Sequence, residues 1–183
     1  MQVFKLFHYG TVNEQEIIVK PLSVTGDYKT DVLAERSYHD LTINEEKQHH
    51  SQFLLTNNVL IDTFAEYAAK PGTRLESLSL EGDPILIEIL NDIITSQLTA
   101  DEPSYKSVIK LINLKLNDID LQSIKFMVHG DDNRYYSVEL RGIGTILISS
   151  ASDIDYISDN PAVKILANDV TNTIKKAWGL WCF

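Results

Sequence analysis

Glu45-Glu46-x-x-His49-His50 comes nearest to a metal site in this chain, with His39 and Asp40 just upstream. On a helix Glu45 faces His49 and Glu46 faces His50 at i,i+4, so a carboxylate and an imidazole could share an ion. The two pairs diverge by about 100° around the axis and cannot converge on one centre, so a solvated helix start is expected instead. Asp153, Asp155 and Asp159 imitate a calcium loop, but the glycine and the terminal Glu at proper spacing are missing, and turn or capping roles follow. Cys182 has no His or charged residue nearby in sequence to depress its pKa, which argues against a nucleophile. His129 and Tyr135 could do acid–base work as a pair, yet across a hairpin they are expected to pack against each other.

The motifs that carry a mechanism are missing. The sequence holds no G-x-S-x-G elbow, no G-x-x-x-x-G-K-[ST] phosphate loop, no G-x-G-x-x-G and no H-E-x-x-H. Arg141-Gly-Ile-Gly144 has two glycines, but it precedes Ile146-Leu147-Ile148 rather than a helix, so a bend or bulge is expected there. No catalytic residue, metal or cofactor is expected.

Charge is more informative. The net charge is −10. Residues 1–105 hold 17 acidic and 7 basic side chains, whereas residues 106–183 hold 9 of each. Seven acids and no base lie between Arg74 and Lys106: Glu76, Glu81, Asp83, Glu88, Asp92, Asp101 and Glu102. Glu88 and Asp92 stand at i,i+4 on one helix face, where like charges cost a few tenths of a kcal/mol. A solvated face tolerates that; so does a surface shaped for a basic partner. The field repels nucleic acid and acidic membranes and speeds encounter with a basic protein. Glu81, Asp83, Glu88, Asp92, Asp101 and Glu102 are the candidate partner-binding residues.

The second candidate is Trp178-Gly-Leu180-Trp181-Cys-Phe183, an uncharged segment with two Trp and a Phe. Exposed to water, Trp178, Leu180, Trp181 and Phe183 invite aggregation, so they are expected to dock. They dock on the chain's own sheet, on a second copy to make a homodimer, or on a partner.

These residues need a scaffold, and its clearest part is Leu121–Ser149, which reads as three antiparallel strands. Ile124, Phe126 and Val128 alternate, as do Tyr136, Val138 and Leu140. Asp131-Asp132-Asn133 has the chemistry of a three-residue hairpin loop ending in a left-handed residue. That loop predicts Val128–Tyr136, Phe126–Val138 and Ile124–Leu140 on one face, with Lys125–Glu139, Met127–Ser137 and His129–Tyr135 on the other. The alternation at Ile119 and Leu121 is out of step with Ile124, which predicts a β-bulge near Gln122-Ser123.

Around this meander, Val3–Tyr9 and Glu16–Lys20 predict a hairpin joined through 10–15, and residues 21–31 read as a loop. A helix is expected within 44–70, capped by Asn44, with Asn57-Asn58 interrupting it and a strand at Gln52–Thr56 as the alternative. Residues 71–83 read as a connector with a short strand at Leu78 and Leu80. Asp83-Pro84 opens a helix over 84–98 with a broad apolar face of Ile85, Ile89, Leu90, Ile93 and Ile94. A helix from 104 is expected to yield to a strand at Ile112–Leu116. Asn160-Pro161 opens a helix over 161–178, ended by Gly179.

The 183 residues suffice for one α+β domain, 1–183, with an antiparallel sheet of four to six strands and two or three helices. No run nears the roughly 18 apolar residues of a membrane span. The first residues lack a secretory leader pattern and one cysteine makes no internal disulfide, so the cytoplasm is the expected compartment. The expected function is that of a non-enzymatic acidic inhibitor or immunity-type protein that neutralises a basic partner. The alternatives are an enzyme whose site assembles from distant His, Tyr and Asp residues, or a subunit of a larger assembly.

Overall fold

The computed structural model describes residues 1–11, 14–22, 51–52, 54–99, 105–115, 118–150 and 160–179. The strands are β1 (Gln2–Thr11), β2 (Glu14–Leu22), β3 (Ser51–Gln52), β4 (Arg74–Gly82), β5 (Ile119–His129), β6 (Tyr135–Arg141) and β7 (Thr145–Ser150). The helices are α1 (Asn57–Ala68), α2 (Pro84–Leu98), α3 (Tyr105–Lys115) and α4 (Pro161–Gly179). The fold is α+β. Its antiparallel sheet runs β2-β1-β7-β6-β5-β4, and the two-residue β3 pairs with β1 beside this path.

The meander has the expected register: Val128 opposes Tyr136, Phe126 opposes Val138, and Ile124 opposes Leu140. Gly130 N donates to Arg134 O at 2.7 Å, which closes a loop of Asp131-Asp132-Asn133 with Asn133 at φ 61°. An asparagine tolerates this left-handed conformation far better than a branched residue. Arg141-Gly142-Ile143-Gly144 makes the next turn, as the bend reading required, with Gly144 at φ 72°. Period-two burial then places Ile124, Phe126, Val128, Tyr136, Val138 and Leu140 in one core with Phe4, Ile146 and Ile148.

The bulge is where the phase of the pattern breaks. Ser79 opposes Ser123 and Leu80 opposes Leu121, so Gln122 is the extra residue on β5. Burial switches phase with it, and Leu121 and Ile124 both reach the core. A second irregularity leaves Glu76 as the extra residue on β4, between Leu75–Phe126 and Ser77–Lys125. Glu76 thereby reaches across the outer face, accepting from Ser137 Oγ at 2.5 Å and lying 3.3 Å from Lys125. Lys125 faces Glu139 in register, but its ion pair is with Glu76, because Glu139 is held by Arg141 at 2.7 Å.

Several elements differ from the sequence-based expectation. Residues 112–115 are helical rather than extended: α3 continues to Lys115, with Val108 and Ile112 buried one turn apart and Leu114 69% exposed, and Leu116 lies outside the described residues. The alternation of Ile112 and Leu114 is thus coincidental to a helical face. Asn57-Asn58 starts α1 instead of interrupting it. The Asn57 side chain accepts from Leu121 N at 2.9 Å and donates to Asp120 and the Ile119 carbonyl, tying the helix start to β5. The connector at 71–83 is a full strand, β4, at one end of the strand order. The N-terminal hairpin is longer than expected and more tightly joined, Thr11 opposing Glu14. Pro21 lies in β2 at the other end of that order, where a missing amide is tolerated. Of the loop expected over 21–31, Pro21 and Leu22 belong to β2 instead, and residues 23–31 lie outside the described residues, as does the expected helix start at Asn44.

The helices bury their apolar faces against this sheet. Phe64 and Tyr67 of α1 meet Phe126 at ring-centroid distances of 5.4 and 5.2 Å. Val163, Leu166, Val170 and Ile174 of α4 join the same cluster, with Asn160 Oδ1 capping that helix through Ala162 N at 2.9 Å. Among the described residues no helix is long and apolar enough to cross a membrane.

Candidate functional site

Asp83 and Pro84 begin α2 as their types dictate. Asp83 Oδ1 accepts from Ile85 N at 2.9 Å and Leu86 N at 3.0 Å, and the proline occupies a position whose amide needs no partner. The helix then buries only part of its apolar surface. Leu90 and Ile94 are in the core, whereas Ile85 is 70%, Ile89 52% and Ile93 39% exposed. The broad apolar face expected from sequence is therefore split. At about 100° per residue, the row Ile85-Ile89-Ile93 lies between the core-facing row of half-buried Leu86 and buried Leu90 and Ile94 and the acidic pair Glu88-Asp92. Glu88 and Asp92 are exposed. Glu81, exposed at the end of β4, accepts from Gln122 Nε2 at 2.8 Å.

Four of the six predicted partner-binding residues thus sit around one end and one face of α2. Asp83 serves as a cap, Glu81 as a hydrogen-bond acceptor, and Glu88 and Asp92 border exposed isoleucines. Asp101 and Glu102 lie outside the described residues, as do Leu180, Trp181 and Phe183 of the apolar tail. Trp178 is half-buried against the core. Glu45, Glu46, His39, His49, His50, Asp40, Cys182, Asp153, Asp155 and Asp159 also lie outside. Among the described residues no group of three or more His, Cys, Asp or Glu side chains is placed to hold a metal.

A second constellation lies where the end of α1, the β5–β6 loop and α4 meet around a cleft of about 310 Å³. On one wall Tyr67 Oη donates to Asp169 Oδ2 at 2.6 Å. Lys70 Nζ stands 3.2 Å from that oxygen and 4.2 Å above the Tyr67 ring. On the other wall are His129, Gly130 and Asp131, with Val128 beneath. His129 and Tyr135 make the cross-strand packing expected of them, edge to face at 5.0 Å. Residue types alone did not reveal this site, because Tyr67 and Asp169 are 102 positions apart.

Electrostatics make Tyr67 a donor rather than a base. Burial first, then the hydrogen bond and charge of Asp169, push its phenol well above the ordinary value of 10.0. Beside it, Tyr136 Oη donates to Asp132 Oδ2 at 2.6 Å and accepts from Asn160 Nδ2 at 3.3 Å. The Tyr136 bond holds the Asp132 carboxyl below its usual range, and burial followed by Asp132 raises Tyr136. A raised phenol contributes stability that is complete below the unfolded value and lost as pH climbs through the folded one. Urea midpoints are therefore expected to fall once pH exceeds 10.0, the unfolded phenol's value, with Tyr67→Phe flattening that alkaline limb. An unchanged limb in the variant would remove Tyr67 as its source.

No family model, curated protein or solved structure matches this chain.

Proposed function

We propose that the protein is a non-enzymatic binding protein that uses the acidic, apolar surface of α2 to hold and neutralise a basic protein partner, in the manner of an inhibitor or immunity protein. The observation that carries the reading is the exposed row Ile85-Ile89-Ile93 bordered by Glu88 and Asp92. Apolar side chains supply the desolvated centre of an interface, and a border of one charge sign supplies steering and register. A second copy is a poor occupant, because its own acids would meet these. A helix or loop with apolar anchors and flanking Lys or Arg fits both features.

Charge reversal tests it. Glu88→Lys with Asp92→Lys is expected to weaken partner binding tenfold or more, mostly through slower association, and to flatten its dependence on salt. Both positions are exposed, so folding should survive. Affinity and salt dependence equal to those of the unaltered protein would remove the acidic face from the interaction.

The alternative, an enzyme with a site assembled from distant residues, draws on one observation: the cleft brings His129, Tyr67 and Asp169 together. Against it, Tyr67 is buried and committed to Asp169, and its raised pKa keeps its proton in place at neutral pH.

A further inference from the structure

The cleft between α1, the β5–β6 loop and α4 has the composition of a ligand site in its own right, independent of α2. Its polar groups are unequally occupied. Asp169 already receives Tyr67 and Lys70, and Lys70 is held between that carboxylate and the Tyr67 ring. Asp131, exposed on the opposite wall, makes no side-chain hydrogen bond or ion pair with the described residues. Counting Asp131, Asp169 and Lys70 as charged leaves the walls one negative charge in excess.

The apolar part is equally uneven. Val128 and Leu166 are buried in the floor, while Ile165 on the rim is 54% exposed. An exposed isoleucine beside a concave surface leaves apolar area that a hydrocarbon group can cover. A volume of about 310 Å³ is the size of a small-molecule site rather than a groove for a protein segment.

We propose that this cleft binds a small organic cation, with a primary ammonium or guanidinium head at Asp131 and an aliphatic or aromatic body against Ile165. An ammonium gives the exposed Asp131 carboxylate a charged partner in place of water and cancels the excess charge. A carboxylate or phosphate head meets Asp131 as a like charge, and the one ammonium that could receive it is already committed.

Three probes with one body and different heads test the site: hexylammonium, hexanol and hexanoate, titrated at neutral pH while the backbone amides of Thr73, Gly130 and Ala162 are followed by NMR. Hexylammonium is expected to move all three amides in a saturable way by about 10 mM, at least tenfold below either other probe. Asp131→Asn should weaken hexylammonium tenfold and leave hexanol unchanged, whereas Ile165→Ser should weaken both. Both residues are exposed, and the rest of the spectrum checks that each variant is folded. Hexanoate binding as tightly as hexylammonium, an unchanged Asp131→Asn variant, or no saturable shift with any probe would each overturn the proposal.

Discussion

Phe126→Ala is expected to lower the unfolding free energy by about 3–5 kcal/mol, the range for truncating a fully buried aromatic side chain. Phe126 is fully buried and opposes Leu75 on one side and Val138 on the other. Its ring meets Phe64 and Tyr67 of α1 at 5.4 and 5.2 Å, so truncation opens a cavity between sheet and helix that neither rigid neighbour can close. The loss is a large fraction of the roughly 5–15 kcal/mol that holds a domain together, and a urea midpoint reads it directly. Met127→Ala is the informative control. Met127 is half-buried on the opposite face, and its truncation should cost far less. A strand slipped by one residue would exchange the two outcomes, so this pair of measurements tests the register itself.

Gly130→Ala should cost about 1–3 kcal/mol although it adds a single methyl group. A Cβ built at Gly130 lies 2.7 Å and 2.9 Å from ring carbons of Tyr136 and 3.0 Å from an oxygen of Asp132. Neither can give way cheaply. The Tyr136 ring is buried, and its hydroxyl is held by Asp132 at 2.6 Å and Asn160 at 3.3 Å, so turning it away breaks the link between the hairpin loop and the start of α4. A double-mutant cycle decides the cause. In a Tyr136→Leu background the same alanine should cost much less, leaving a coupling of about 0.5–3 kcal/mol. Equal costs in both backgrounds would mean that the glycine serves loop conformation rather than the ring.

The hairpin was legible in the sequence because two rows of three apolar residues and a three-residue turn leave one register that keeps all six on one face. The bulge at Gln122 was legible for the same reason, as a break in phase. Periodicity failed where two periods coincide. Ile112-x-Leu114 alternates like a strand, yet Ile112 pairs with Val108 on a helical face and Leu114 points to water. At Asn57-Asn58, turn-forming residue types suggested an interruption, but the Asn57 side chain bonds to β5 and fixes the helix start. The apolar breadth of α2 was visible, but which row would be covered was not, since that depends on how the helix rolls against its neighbours. For the cleft, Tyr67, His129 and Asp169 belong to three elements and meet only through tertiary packing. The acids at 81–92 were legible as a cluster; the isoleucines left bare beside them were not.

The surface of α2 is the centre of the account, and a photoreactive benzophenone side chain tests it by contact. Placed at position 89, in the middle of the exposed isoleucine row, it should crosslink one basic protein when irradiated in an extract of the native cells at low salt. The product should vanish at high salt and in the Glu88→Lys, Asp92→Lys background. The same group at position 143, exposed in the β6–β7 turn, should not yield it. One product common to both positions, or a product at 89 indifferent to salt and to the two reversals, would contradict an acidic docking surface on α2.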